Sequence, residues 1–439
     1  MSRFSAADGN GASAVEQPKE WQVVALDDPR VFTTAAGLWT GKKPPFVTAR
    51  VIRNTNFRND GEIDYSDVAE IEVEQRHLEA KQLQRGDIII ERSGGGPKQP
   101  VGRVVLFERD EPGFAFSNFT ARLRVEDRQR VLPQFVLYSL LRFHLNGGTE
   151  TLQRRTTGIR NLEFSDYLKT CCPCPPLAEQ RAIAGMLGKI RAAVAAQQAI
   201  IDRTAELKAA LMAKLFTEGT RGEPLKETEI GTIPKSWDVR PCEEVCERIS
   251  VGIVVRPAQY YEPDGVTCFR SANIRADMLD ESNCVYISEE SNAKLRKSIL
   301  KTGDVLIVRT GYPGTSCVVP EKYAGANCID LVFARCKSAM NSHFLSRFIN
   351  SPMGKRQVIT GNNSAQQHFN VGAVKALLAP VPSLAEQADI VSKLEVIDSR
   401  ANLAQFTKTL YDELFAAMLD ELMTGRIRVN GLDLATCEA

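Results

Sequence analysis

Apolar residues fall at a near 3.5-residue spacing along residues 177–216: Ile183, Leu187, Ile190, Val194, Ile201, Leu207, Leu211 and Leu215. The stretch has no proline and only Gly185 and Gly188, and alanine, leucine, glutamine and lysine dominate it. That pattern predicts a helix of about 40 residues, roughly 60 Å at about 1.5 Å per residue. Pro175-Pro176 and Glu179 suit its start, and Gly219, Gly222 and Pro224 suit its stop. A second helix is predicted after Pro382-Ser383, with its stripe at Ile390, Leu394, Ile397, Ala401, Leu410, Leu414, Met418 and Leu422 and its end near Gly425. Both stripes are narrow, so each helix is expected to pack antiparallel on the other as a coiled coil.

The stretch ahead of each helix has another texture. Residues 46–52, 86–90 and 101–107 read as strands between turns, and residues 133–143 as a short helix carrying Phe135, Leu137, Leu140 and Leu141. Residues 234–380 are strand-rich again. The two halves share landmarks in one order. Pro18-Lys19-Glu20-Trp21 recurs as Pro234-Lys235-Ser236-Trp237. Gly86-Asp87-Ile88-Ile89-Ile90 recurs as Gly303-Asp304-Val305-Leu306-Ile307. Pro176-Leu177-Ala178-Glu179-Gln180 recurs as Ser383-Leu384-Ala385-Glu386-Gln387. The offsets are 216, 217 and 207 residues, which marks an internal duplication. The expected fold is α+β, with two strand-rich domains and two long helices. The organisation expected is a leader over 1–17, a first domain over 18–174, a helix over 175–218, a linker over 219–233, a second domain over 234–381, a second helix over 382–425 and a tail over 426–439.

Bulk composition narrows the function classes. A net charge of +1 argues against a histone-like binder but leaves room for local basic patches. No apolar run reaches about 18 residues, so no membrane span is expected, and residues 1–17 lack the apolar segment of a signal peptide. The eleven cysteines read as reduced thiols of a cytoplasmic protein. Cys171-Cys172-Pro173-Cys174 and Cys242-x3-Cys246 match no common zinc spacing, so no metal is expected. There is no phosphate loop, no Asn/Asp-Pro-Pro-Tyr/Phe methyltransferase tetrapeptide and no evident triad, so the chain reads as a non-catalytic one.

The duplicated landmarks, with Glu229 to Trp237 opening the second domain, resemble the specificity subunit of type I restriction-modification systems over nearly the whole chain. The resemblance implies two target-recognition domains, each reading one half of a bipartite site in double-stranded DNA. It also implies helices that set the spacing and dock two DNA methyltransferase subunits, with translocating endonuclease subunits joining them. S-adenosylmethionine, ATP and Mg would sit on those partners, and no cofactor on this chain. The second copy departs from the pattern with Pro382-Ser383, and the first carries an unusual Cys171-Cys172-Pro173-Cys174. Two other readings share the fold: a structural adaptor of an antiphage complex that reads no sequence, and the recognition half of another restriction-methylation enzyme.

Arginine suits guanine and asparagine or glutamine suits adenine in the major groove, while lysine and arginine anchor phosphates. Three segment pairs offer such groups as DNA contacts. The first is Asn56 and Arg58 with Asn273 and Arg275, each in an Asn-x-Arg that could equally be a turn closing on itself. The second is Arg92, Ser93 and Lys98 with Arg309, Thr310 and Tyr312, after each Gly-Asp strand, where a surface turn with a solvated arginine is the alternative. The third is Arg154, Arg155, Thr157 and Arg160 with Lys355, Arg356, Asn363, Gln366 and Gln367, ahead of each long helix, where a polar connector would give the same composition. At the helix starts, Glu179, Gln180 and Arg181 with Glu386 and Gln387 are either contacts to methyltransferase subunits or capping residues.

Overall fold

The computed structural model describes residues 18–96, 99–156, 159–360 and 369–429, leaving aside the side chains of residues 155, 156, 159 and 360. The chain forms two compact units, residues 1–196 with 407–439, and residues 197–406.

Each unit is built on the same plan. In the first, a four-stranded antiparallel sheet runs in the order Phe32–Ala36, Thr120–Val125, Ile88–Glu91, Val104–Leu106. In the second, the order is Cys246–Val251, Leu331–Cys336, Val305–Val308, Ser316–Val318. A smaller sheet flanks each. It pairs Phe46–Ile52 in parallel with Phe114–Phe116 in one unit, and Val266–Phe269 in parallel with Asn327–Cys328 in the other. A two-stranded ribbon joins the start of each unit to the approach of its long helix: Gln22–Ala25 with Cys171–Cys174, and Asp238–Pro241 with Leu378–Val381.

The apolar strand after each Gly-Asp is central and buried on both faces, so its alternating side chains feed two cores. Ile88 and Ile90 join Leu123, Phe135 and Leu140, whereas Ile89 joins Ile52, Phe107 and Phe116. Val305 and Ile307 join Phe344 and Phe348, whereas Leu306 and Val308 join Phe269 and Phe333. The Gly-Asp itself closes the turn into that strand. Gly86 and Gly303 take φ of 95° and 83°, open only to glycine without strain. The fully buried Asp87 accepts two bonds from Arg124 at 2.6 and 2.7 Å and one from the Gln84 amide. Asp304 does the same with Arg335, at 2.7 Å twice, and the Lys301 amide.

The long helices run Leu177–Glu218 and Leu384–Thr424, ended by Gly219 and Gly425 at φ of 65° and 74°. Their ends pack as antiparallel partners inside each unit. Ile183 and Leu187 meet Leu419 and Leu422 in the first core, and Leu215 and Phe216 meet Ile390 and Leu394 in the second. Most of the expected stripe is buried or half-buried, with three exceptions. Leu207, Leu410 and Leu414 belong to that stripe and are exposed, as are Val396 and Phe406. The expected linker 219–233 also holds structure: Leu225–Thr228 and Gly231–Pro234 form a hairpin whose Ile230 and Ile233 enter the second core.

The cysteine-rich strand Cys171–Cys174 is an ordinary ribbon strand, and burial pushes the Cys172 thiol up to about 12. No helix among the described residues is long and apolar enough to cross a membrane.

Candidate DNA-reading surfaces

The third landmark serves the fold of its own unit. Trp21 Nε1–H donates to Glu179 at 3.1 Å, and Trp237 Nε1–H donates to Glu386 at 3.2 Å. Glu179 also accepts from Arg428, and Glu386 accepts from the Thr220 amide and pairs with Arg221. Each adjacent glutamine is fully buried and holds backbone. Gln180 accepts from the Leu132 amide and donates to the Arg130 and Pro175 carbonyls. Gln387 accepts from the Asn341 amide and donates to the Ala339 and Pro382 carbonyls. Glu179, Gln180, Glu386 and Gln387 are therefore not available as subunit contacts: they tie each helix start to the segment that opens its domain. Arg181 alone of that set is exposed. Glu386→Ala is expected to cost about 2–4 kcal/mol, since it strands the buried Trp237 N–H and the Thr220 amide. Urea unfolding would read it, and a cost under about 0.5 kcal/mol would contradict the clip.

The two asparagines of the first candidate pair are internal. Asn56 and Asn273 are buried in equivalent single-turn 3-10 helices, Asn54–Asn56 and Ser271–Asn273. Asn56 accepts from the Arg53 amide and donates to the Asp64 and Asp67 carbonyls. Asn273 accepts from the Arg270 amide and donates to the Asp280 and Ser282 carbonyls. A side chain whose donors and acceptor are all spent on backbone cannot also read a base. Arg58 and Arg275 do reach the surface, beside Glu62 and Asp64 in one unit and Asp280 in the other.

The remaining segments converge. In the first unit, Ser93–Gly95 forms a small sheet with Ile159–Leu162 and Gln153–Thr156, placing Ser93 opposite Asn161 and Arg154 opposite Asn161. Ser93 Oγ donates to Asn161 Oδ1 at 2.5 Å, Arg92 lies over the Phe164 ring, and Arg160 donates to Gln153. Arg154 is largely exposed and pairs with Glu163. The turn at residues 54–57 is drawn to the same place. Arg103 donates to the Asn54 and Phe57 carbonyls and pairs with the buried Glu91, while Asn54 donates to the Ser93 carbonyl. Lys98 and Thr157 lie outside the described residues, and so does the side chain of Arg155.

In the second unit, Arg309 pairs with Asp330, and Thr310 donates to the same carboxylate. Lys355 donates to Thr315, and the Phe369 amide donates to the Arg309 carbonyl, as the Leu162 amide does to Arg92 in the first unit. Burial at this contact pushes the Lys355 amine below its ordinary value. Residues 271–276 and 308–315 face each other across an open cleft of about 370 Å³, with Tyr312 84% exposed at its rim. Arg356 is exposed on the helix Pro352–Thr360. Asn363, Gln366 and Gln367 lie outside the described residues.

Sequence reasoning missed what carries this surface. Asp277, at φ of 60°, accepts from Asn350 and pairs with Lys208 of the first long helix and Arg347, and both cations also pair with Asp398 of the second long helix. Nothing in the local pattern separates Asp277 from an ordinary surface aspartate.

The two units thus repeat one plan, in which the loop after the Gly-Asp strand is bonded to the segment that leads toward the following long helix. Residues 234–414 match the family described as the type I restriction modification DNA specificity domain. The chain is 22% identical over 420 residues to the specificity subunit ascribed to the type I restriction enzyme MjaX of Methanocaldococcus jannaschii, covering 94% of this chain and 95% of that one. It is 23% identical over 378 residues to the specificity subunit of the type I restriction enzyme EcoKI of Escherichia coli, covering 80% and 76%. Its fold is similar to the crystal structure of the type I restriction-modification S subunit from M. genitalium, with TM-score 0.56, 13% identity and 94% and 97% coverage. Residues 234–414 thus carry the family's domain, and over 94% of its length the chain is similar to a type I restriction enzyme specificity subunit.

Proposed function

We propose that this chain reads a bipartite DNA sequence for a type I restriction-modification complex and performs no chemistry itself. Each unit reads one half-site, chiefly in the major groove, where all four base pairs differ. The observation that carries this is the duplicated convergence described above: in both units the loop after the Gly-Asp strand meets the segment that leads toward the long helix. The two surfaces offer different groups, Arg92, Ser93, Arg154 and Arg160 in one and Arg309, Thr310, Tyr312 and Lys355 in the other. The half-sites are accordingly different and the whole site asymmetric.

The long helices set the gap between the half-sites and dock two methyltransferase subunits. Exposed Leu410 and Leu414 in the first unit, and exposed Val396 and Phe406 in the second, supply the apolar contacts that the buried Glu and Gln pairs cannot. The docked subunits bring S-adenosylmethionine and flip an adenine in each half-site. Translocating endonuclease subunits bring ATP and Mg. The complex works in the cytoplasm.

Arg154→Ala with Arg160→Ala is expected to weaken binding 5- to 150-fold, roughly 1–3 kcal/mol, through the first half-site only. Arg309→Ala should do the same through the other. Competition among duplexes altered in one half-site reads this, and equal relaxation of both half-sites by either variant contradicts independent reading.

A further inference from the structure

Each unit also carries an exposed loop that begins at a matching glycine, Gly37 or Gly252. In the first unit it is residues 37–45, and Trp39 on it is 66% exposed. The chain has three tryptophans, and the other two, Trp21 and Trp237, are buried clip residues. Exposure of this one is not slackness of the loop. Glu74 accepts from the Lys42 and Lys43 amides at 2.6 and 2.7 Å, and those amides hold its carboxyl down to about 2. The Lys81 amine donates to the Gly37 carbonyl, and the His77 ring lies 3.2 Å from the Trp39 carbonyl. The backbone is thus pinned while the indole, Lys42 and Lys43 face outward.

The second unit repeats the placement with other residues. Gly37 and Gly252 each lie against a turn where a Cβ would stand 1.8 Å from the Ser117 carbonyl oxygen or 2.3 Å from that of Cys328. The next residues, Leu38 and Ile253, form matching parallel bridges to Ser117 and Ile329. Beyond them come Trp39 in one unit and Val254-Val255 in the other, with Val255 70% exposed and Arg256 following. In both units the shared turn also touches the arginine loop: the Arg92 and Ser93 amides donate to the Phe119 carbonyl, and Arg309 pairs with Asp330. An exposed apolar tip followed by cations therefore sits beside each candidate reading loop.

We propose that Trp39 and the Val254-Val255 pair are a second base contact in each reading surface, resting on the DNA-reading function above. The apolar tip packs on base faces or thymine methyls, as aromatic and aliphatic groups do in grooves and at base steps. Lys42 and Lys43, and Arg256 in the other unit, hold the flanking phosphates.

The test uses the full chain assembled with its methyltransferase subunits and duplexes selected from a random library. Trp39→Ala is expected to lower affinity tenfold or more and to relax base preference in one half-site, while Trp39→Phe keeps that preference. Val254→Ser with Val255→Ser should relax the other half-site. Lys42→Ala with Lys43→Ala should leave the preference intact and reduce the salt slope by about 2. Trp39→Ala with wild-type affinity and an unchanged motif overturns the proposal and leaves DNA reading standing. A wild-type complex that binds duplexes but enriches no motif overturns DNA reading, and this contact with it.

Discussion

Asp304→Ala is expected to destabilise the second unit by about 3–5 kcal/mol, the range for removing one partner of a buried ion pair. Asp304 is fully buried and meets the Arg335 guanidinium in a two-bond fork, and both side chains are shielded from water. Removing the carboxylate leaves the largely shielded Arg335 guanidinium with only Glu247, 3.9 Å away, and frees the Lys301 amide that closes the turn. The strand that follows, Val305–Val308, feeds two cores, so a loosened turn is felt on both faces. Asp304→Asn keeps the shape and one acceptor and should cost less. Asp87→Ala should act equally on the first unit through Arg124. Urea unfolding followed by probes in each unit would separate the two, and a loss under about 1 kcal/mol would contradict the clasp.

The second large effect concerns spacing. Inserting four residues, about one turn and roughly 6 Å, into both long helices near residues 197 and 407 should lengthen the preferred gap by about two base pairs. Affinity for the original site should fall toward non-specific binding, about a thousandfold or more. Duplexes with graded gaps would show the optimum moving. An optimum that stays in place while the complex still binds specifically would remove the helices' role as spacer.

Much of the fold could be read from periodicity and punctuation. The helix stops at Gly219 and Gly425 follow from glycine's access to positive φ, and the triple isoleucine at residues 88–90 reads as a strand because such a run suits burial on both faces. The duplication pointed to positions that matter but not to what each one touches. Glu179 and Gln180 read equally well as partner contacts or as internal clips; the buried indole of Trp21 decides the first, and the Leu132, Arg130 and Pro175 backbone decides the second. Asn56 carries the chemistry of a base reader and spends all of it on backbone. The helical stripe marked the packing face, yet periodicity gives the face of a helix and not how far each position is covered; Leu207 and Leu414 keep the period and stay exposed. Trp39 left one unused signal, a tryptophan in a polar stretch rich in lysine and proline.

An adaptor that only scaffolds partners would share this fold, so the deciding property is sequence preference and not architecture. The most direct measurement is selection of bound duplexes from a random library, at moderate salt, by the chain assembled with its methyltransferase subunits. The two-surface account predicts an enriched asymmetric motif in two blocks about a fixed gap. Salt-steep binding that enriches no motif would contradict it.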